Sequence, residues 1–110
     1  DETITVGQLH GCADRIALRL AAKGIGPDAK VAIAFNRAIP AATSILGVLA
    51  AGGAYVPLDP AMPRDRLEYI LADSRAALCI HDGTLEVDTD VETISYDDLR
   101  DYGQTERSGG

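Results

Sequence analysis

Apolar residues near the start of the chain recur at intervals of three and four, which places them on one face of a helix. Thr5 and Gln8 have the spacing of a capping box, in which each side chain bonds the backbone amide of the other residue. Lys23 and Gly24 follow the last apolar position and supply the signals that end a helix. The pattern predicts an amphipathic helix over about residues 6–23. Its apolar positions are Leu9, Cys12, Ala13, Ile16, Ala17, Leu20 and Ala21.

Short apolar runs then alternate with segments of helical periodicity. Lys30 to Phe35 is apolar after its first residue, which is typical of a strand buried on both faces of a parallel sheet. The alternation predicts an α/β fold, a parallel sheet flanked by helices, with the order β-α-β-α-β after a leading helix. The further predicted elements are a helix from Ile39 or Pro40 to Ala51, a strand from Ala54 to Leu58, a helix opened by Pro63, a strand from Ala76 to His81, a weaker strand from Glu92 to Ser95 and a short helix beginning in "YDDLR".

Composition narrows the class of protein. The chain of 110 residues has the length of one domain or of part of one. Its formal net charge of −7 argues against a nucleic-acid partner, because phosphate binding needs clustered Lys and Arg. No apolar run approaches the roughly 20 residues that span a bilayer, so we expect no membrane partner. Two cysteines, Cys12 and Cys79, are too few for a secreted disulfide framework, which favours free thiols and a cytoplasmic protein.

The two ends of the chain suggest a segment of a larger protein. The sequence begins without an initiator Met, and we expect it to be excised from something longer. We expect residues 1–102 to form a partial domain. Residues 103–110 are polar, and we expect them to form a flexible tail.

The stretch Leu49–Pro60, "LAAGGAYVPLDP", decides whether the chain carries a ligand site. A phosphate-binding loop needs glycine amides at the N-terminus of a helix. Gly52 and Gly53 instead follow the C-terminus of a predicted helix, where carbonyl groups converge. We therefore expect a helix cap and a close approach between helix and strand.

Two further groupings contain residue types that functional sites use. Cys79 and His81 lie two apart on a predicted strand and face the same side, but a zinc site needs three or four ligands, so we expect no metal. Asp59 and Arg66 flank a short loop stiffened by prolines, and we expect them to form a bidentate ion pair that pins the loop. No serine stands in the pattern of a catalytic nucleophile.

The segment Val48–Ser74 resembles the second core motif of the adenylation domains of nonribosomal peptide synthetases, within the adenylate-forming superfamily, together with the helix that follows the motif. That motif is approximately L-K-A-G-x-A-Y-V-P-[IL]-D-P, then x-x-P-x-x-R-[IL]. Ala50 stands where lysine is common. The start of the chain is similar to the family's L-T-Y-x-E-L segment, with Val6 for Tyr and Gln8 for Glu. The matching positions of the core motif are Leu49, Ala51, Gly52, Ala54, Tyr55, Val56, Pro57, Leu58, Asp59, Pro60, Pro63, Arg66 and Leu67.

This resemblance implies amino-acid activation. Such a domain binds an amino acid and Mg-ATP, forms an aminoacyl-adenylate with release of pyrophosphate, and passes the acyl group to the phosphopantetheine thiol of a carrier protein. The family's phosphate loop, [ST]-S-G-[ST]-T-G-x-P-K-G, is not among these 110 residues, so we assign no catalytic, cofactor-binding or metal-binding residue. We interpret the chain as the N-terminal segment of an adenylation domain, inert in isolation. Its partners are then the rest of that domain and the neighbouring condensation and carrier domains.

The resemblance also implies structural roles for the motif. Gly52 and Gly53 cap a helix, Tyr55 and Val56 pack into the sheet, and Asp59 leads into the next helix. The structural residues of the motif are Gly52, Tyr55, Pro57, Asp59, Pro60 and Arg66.

Other interpretations stay open at this point. A naturally truncated, non-catalytic adenylation remnant would act as a structural or docking module in a megasynthase, beside the condensation domain. Acyl-CoA synthetases and aryl acid ligases are neighbouring families to which the parent enzyme would otherwise belong. An unrelated small α/β binding domain would be monomeric and would unfold cooperatively, whereas a slice of a larger sheet would expose an apolar face and an unpaired edge.

Overall fold

The computed structural model describes residues 5–101, which form helices packed on a sheet. The predicted elements are confirmed, with boundaries that differ by one or two residues. The predicted tail, 103–110, lies outside the described residues. In chain order the elements are α1 (Val6–Ala22), β1 (Lys30–Ala34), α2 (Ala38–Ala50), β2 (Ala54–Leu58), α3 (Arg64–Ser74), β3 (Leu78–His81), β4 (Glu92–Ser95) and α4 (Tyr96–Asp101).

Both ends of α1 are satisfied by short-range hydrogen bonds. The Gln8 amide donates to Thr5 Oγ1 and the Thr5 amide donates to Gln8 Oε1, each over 3.1 Å, so the predicted capping box is present. At the other end Gly24 adopts φ of +91°, and the Ile25 amide donates to the Leu20 carbonyl oxygen over 2.9 Å. This Schellman arrangement needs a left-handed residue, which glycine supplies without strain.

The four strands form one parallel sheet in the order β2-β1-β3-β4. The chain passes from β1 to β2 through α2, and then crosses back past β1 to β3 through α3. The two helices pack on opposite faces of the sheet. Strand β2 is thus added on one side of β1, and β3 is added on the other side, so the strand order reverses between the neighbouring strands β1 and β3. Such a topological switch point is the place where open α/β sheets bind ligands.

Alternate strand residues enter two apolar clusters, one on each face of the sheet. Val31 and Ile33 enter the first cluster with α1, α2 and α4, whereas Ala32 and Ala34 enter the second with α3. The buried residues of the first cluster are Ile16, Leu20, Ile25, Val31, Ile33, Val48, Leu78, Ile80 and Leu99. Those of the second cluster are Ala32, Ala34, Leu58, Leu67, Leu71, Ala76 and Cys79.

Helices α1 and α2 approach closely at Gly47. A Cβ atom at this position would lie 2.6 Å from Ile16 Cγ2 and 3.3 Å from the Ala13 carbonyl oxygen. Both contacts are shorter than van der Waals separation, and Ile16 is itself buried. Gly47 is therefore the position at which the backbone of α2 packs directly against α1.

We predict opposite effects for two glycine-to-alanine substitutions within these helices. Gly47→Ala should lower the free energy of unfolding by ~1–3 kcal/mol, because the added methyl group collides with the buried Ile16 side chain. Gly11→Ala is the matched control: the atom nearest to its new Cβ is the Arg15 guanidinium, 4.0 Å away. Its gain in helix propensity should raise the free energy of unfolding by up to ~1 kcal/mol. Urea denaturation measures both, and equal stability of the two variants would contradict the close packing at Gly47.

Candidate functional site

The joint between α2 and β2 repeats the arrangement that ends α1. Gly52 adopts φ of +92°, and its amide donates to the Leu49 carbonyl oxygen over 3.0 Å. The Gly53 amide donates to the Val48 carbonyl oxygen, also over 3.0 Å. Together these bonds form a Schellman motif, so this end of the helix presents carbonyl groups that are already bonded, and it does not cradle a phosphate.

Gly53 allows the chain to enter β2 directly beside the start of β1. A Cβ atom on Gly53 would lie 3.1 Å from the Ala29 carbonyl oxygen and 3.4 Å from both Ile25 Cγ2 and Val48 Cγ1. The same Ala29 oxygen accepts a hydrogen bond from the Ala54 amide, over 2.9 Å. The two glycines thus have different roles. Gly52 adopts the left-handed conformation that turns the backbone, and Gly53 lacks the Cβ atom that would crowd the Ala29 carbonyl oxygen.

Strand β2 lies at an edge of the described sheet. Because the Ala54 amide points to β1, the alternation of a strand directs the amide positions of Tyr55 and Pro57 away from β1. Proline is tolerated there because no donor is needed on the open side. Val56 packs against the cluster on the α3 face, but Tyr55 is 41% exposed. The expectation that Tyr55 packs into the sheet was wrong, because its side chain lies on the opposite face from Val56, outside the buried clusters.

The loop after β2 is held by backbone bonds and not by an ion pair. Asp59 Oδ1 accepts from the Ala61 amide over 2.9 Å, and the Asp59 carbonyl oxygen accepts from the Met62 amide over 2.9 Å. Arg66 lies exposed in the first turn of α3, and it makes no ion pair with Asp59. The predicted bidentate pair was wrong, because the local amide two residues away satisfies the carboxylate first.

A cleft of about 300 Å³ opens at the carboxyl edge of the sheet, beside the switch point. Loops that follow three strands meet there, and Pro60 of the motif stands on its wall. Ligands of open parallel α/β sheets bind at this edge, which makes the cleft the candidate site. Its lining residues are Asn36 after β1, then Pro60, Ala61, Met62, Arg64 and Leu67 after β2, and Thr84, Leu85 and Glu86 after β3.

Polar side chains beside the cleft bond one another. Asn36 Nδ2 donates to Asp82 Oδ2 over 3.4 Å, which joins the ends of β1 and β3. Asp82 Oδ1 accepts from the Thr84 hydroxyl over 2.7 Å and from the Thr84 amide over 3.1 Å. The Thr84 hydroxyl bond is the main reason that the pKa of Asp82 lies below its ordinary value. The carboxylate is thus fixed as an acceptor that closes the β3 turn.

His81 ends β3 next to this network. Its Nδ1 accepts a hydrogen bond from the Gly83 amide over 3.0 Å, so its partner is a backbone group and not a serine or cysteine nucleophile. Burial lowers the pKa of His81, while the nearby carboxylates of Asp82 and Asp98 act in the opposite direction. The fold therefore favours the neutral imidazole, as an acceptor that fixes the turn.

Cys79, the other member of the predicted pair, lies in the cluster on the α3 face. Burial raises the pKa of its thiol to about 12, which makes it a poor metal ligand. Between residues 5 and 101, no three side chains of His, Cys, Asp or Glu stand close enough to hold a metal ion. None of the helices in that range has the length and apolar character needed to cross a membrane.

One contact that shapes this region has no signal in the sequence. Glu68 Oε2 accepts from the Asp88 amide over 2.6 Å and from Arg64 Nε over 2.8 Å. The Asp88 bond lowers the pKa of Glu68 and fastens the β3–β4 connection onto α3.

A second cleft, of about 830 Å³, lies between α3 and residues 88–92. It is larger, but it lies at the opposite edge of the sheet, and four of its five charged lining residues are acidic.

The family model described as "AMP-binding enzyme" matches residues 1–109. The chain belongs to this family. Tyrocidine synthase 3 from Brevibacillus parabrevis is 48% identical over 80 residues, which are 73% of this chain and 1% of that protein. Surfactin synthase subunit 1 from Bacillus subtilis (strain 168) is 39% identical over 107 residues, 96% of this chain and 3% of that protein. The segment thus spans a small part of the curated relatives that it matches.

Solved structures of AMP-binding enzymes contain the same fold. The nonribosomal peptide synthetase FmoA3 superposes with a TM-score of 0.81 at 28% identity, over 89% of this chain and 11% of that one. O-succinylbenzoate coenzyme A synthetase from Bacillus subtilis superposes with a TM-score of 0.85 over 94% of this chain and 28% of that one, and at 23% identity this shows the fold alone. The family match and the synthetase relatives identify the chain as the N-terminal portion of a nonribosomal peptide synthetase adenylation domain.

The contacts of the loop after β2 predict that substitutions at its two charged motif residues change the free energy of unfolding unequally. Asp59→Ala should lower the free energy of unfolding by ~1 kcal/mol, because the Ala61 amide loses its acceptor. Asp59→Asn keeps an oxygen in place, and Arg66→Ala removes no ion pair with Asp59, so each should stay within ~0.5 kcal/mol of the unsubstituted chain. Urea denaturation of the single and double variants measures the coupling. Strong coupling between positions 59 and 66 would show that the ion pair forms after all.

The lowered pKa of His81 predicts a loss of stability in mild acid. The unfolded chain takes up a proton near the ordinary histidine pKa of ~6.5, whereas the folded chain resists it, so the stabilisation is present above that pH and is lost as the pH falls through it. Thermal unfolding between pH 7.5 and 5 should show this decline. His81→Asn, which keeps an acceptor for the Gly83 amide, should flatten it, while His10→Asn on the exposed side of α1 should leave it in place. An unchanged decline in His81→Asn would contradict the assignment.

Proposed function

We propose that the chain is the N-terminal segment of an amino-acid-activating adenylation domain. In the complete enzyme, a carboxylate oxygen of the amino acid would attack the α-phosphorus of ATP, pyrophosphate would leave, and the acyl group would pass from the adenylate to the phosphopantetheine thiol of a carrier protein. The observation that carries this proposal is the family match over residues 1–109, which includes the thirteen motif positions of the α2–β2–α3 region.

The segment contributes scaffold to that reaction. Two motif residues and one neighbour contact the backbone: Gly52 ends a helix, Asp59 closes a turn, and the adjacent Gly53 lies against the Ala29 carbonyl oxygen. The polar groups next to the carboxyl-edge cleft, Asn36 and Asp82, bond one another and hold two strand ends together. These contacts support a structural role for the segment, which by itself would be catalytically inert.

ATP and Mg²⁺ would be bound by other parts of the complete enzyme. FmoA3 has been solved with AMPPNP and with an α-methyl-L-serine–AMP adduct, which supports an aminoacyl-adenylate chemistry for its relatives. The B. subtilis O-succinylbenzoate synthetase has been solved with ATP and magnesium. An artificial fusion of an adenylation domain with a peptidyl carrier domain, NpsA-ThdA, shares the fold and supports a carrier domain as partner. A condensation domain would precede the segment.

Amino-acid-dependent exchange of labelled pyrophosphate into ATP tests the proposal. The complete polypeptide that carries this segment should catalyse exchange with at least one amino acid, whereas the 110-residue chain should catalyse none, because it lacks the phosphate loop. Exchange by the 110-residue chain alone would refute the scaffold role. A complete polypeptide that activates no amino acid would refute the proposal and favour the alternative of a non-catalytic docking module.

An Asp59→Ala variant of the complete enzyme supplies a sharper readout of the scaffold role. It should unfold at a lower temperature but retain the KM for ATP and for the amino acid, because Asp59 contacts the Ala61 amide and not a substrate. Asp59→Asn is the matched control, and it should behave as the unsubstituted enzyme in both measurements. A raised KM for ATP at unchanged thermal stability would place Asp59 in the binding site.

A further inference from the structure

The connection between β3 and β4 contains no helix, although a crossover between parallel strands usually carries one. Residues 84–90 run without helix or strand over the face of the sheet on which α3 packs. Leu85 and Val87 alternate with polar residues, and both pack against the buried cluster of that face, as in an extended segment with one apolar side. We call residues 84–90 the strap.

The strap separates the two clefts of this face. Residues 84–86 line the carboxyl-edge cleft of about 300 Å³, whereas residues 88–90 line the cleft of about 830 Å³. Helix α3 lines both clefts, with Leu67 in the first and Leu71 in the second. The strap therefore packs on α3 between two openings and not within a continuous apolar layer.

One side chain of α3 fastens the middle of the strap. Glu68 Oε2 accepts from the Asp88 amide over 2.6 Å and from Arg64 Nε over 2.8 Å. Within residues 5–101, no other hydrogen bond joins the strap to α3. Gly83 precedes the strap with φ of +103°, a conformation that glycine adopts without strain and that suits a hinge.

We propose that the strap opens as a unit while the sheet and α3 stay folded, with Gly83 as the hinge and Glu68 as the group that holds the strap closed. Opening joins the two clefts into one groove along α3 and uncovers the apolar cluster beneath, which includes Leu71 and Cys79. Because residues 84–86 form a wall of the carboxyl-edge cleft, the position of the strap also sets the size of the candidate site. This inference goes beyond the proposed function and does not depend on it.

Few contacts break when the strap opens. Leu85 and Val87 are only half-buried, and the single bond to Glu68 is lost. The pairing of β3 with β4 is kept, because it uses Glu92–Ser95, which lie beyond the strap. Segments with so few buried contacts open at a lower free energy than the rest of a fold.

Alkylation of the native cysteines in the complete polypeptide, read by peptide mass spectrometry, tests the proposal. Cys79 is fully buried, and burial raises the pKa of its thiol to about 12, so it reacts only when its surroundings open. Glu68→Ala should accelerate its alkylation roughly three- to tenfold, because opening no longer breaks the bond to the Asp88 amide. Asp73→Ala is the matched control: it removes an exposed carboxylate from the same helix and should leave the rate unchanged.

Two further variants show whether the opening is local and which bond controls it. Ser44→Cys places a second buried thiol on α2, on the opposite face of the sheet, where it reports opening of the segment as a whole. Its rate should not respond to Glu68→Ala. Glu68→Gln keeps an oxygen that can accept from the Asp88 amide, and it should protect Cys79 nearly as well as glutamate does.

Every outcome decides for or against the strap. Acceleration confined to Cys79 in Glu68→Ala supports it, whether or not the polypeptide catalyses pyrophosphate exchange. An unchanged Cys79 rate overturns the proposal, and so does equal acceleration of Cys79 and of the thiol in Ser44→Cys, because the segment would then open as a whole. Equal rates in Glu68→Gln and Glu68→Ala would overturn the assignment of the Asp88 bond as the fastening.

Discussion

The close packing of α2 against α1 at Gly47 is the constraint on which the rest of the fold depends. Because the backbone of α2 lies directly on Ile16, the end of the helix is fixed relative to the turn after α1. Gly52 and Gly53 can then bring the chain back beside Ala29, so that β2 pairs with β1 in register. A bulkier residue at position 47 would push α2 away from α1. The turn at Gly52 and Gly53 and the start of β2 would then move with the C-terminus of the helix.

The second face of the sheet depends on a different kind of contact. Helix α3 is comparatively polar, and it is held by the buried side chains Leu67 and Leu71 and by the turn that Asp59 closes. Glu68 then fastens the long β3–β4 connection through the Asp88 amide. One face is therefore positioned by the packing of apolar helices, and the other by the apolar side chains of a single helix together with hydrogen bonds from the adjoining loops.

Local signals predicted most of the fold but not its long-range contacts. The capping box at Thr5 and the strand Ala54–Leu58 were correct because each depends on neighbouring residues alone. The strand order was not predicted, since periodicity carries no information about which strands pair. The prediction of an Asp59–Arg66 ion pair was wrong. It considered only the two opposite charges, seven positions apart, and not the nearer Ala61 amide that donates to the Asp59 carboxylate. The Glu68–Asp88 bond was not predicted, because it joins residues twenty apart along the chain. The close packing at Gly47 was not predicted either, although a glycine inside an apolar helix often has a packing reason.

The motif residues that identify this chain make structural contacts. Tyr55, Pro57 and Asp59 match the family motif, yet two of them lie on an open strand edge and the third binds a backbone amide. Such a motif is demanding because backbone geometry is demanding: a left-handed residue, Gly52, must follow α2, and an acceptor, Asp59, must meet the Ala61 amide. Each requirement restricts one position to one or a few residue types, as a catalytic role would. A specific sequence motif can therefore report the family of an enzyme through its scaffold, and the chemistry has to be argued from groups that contact substrate.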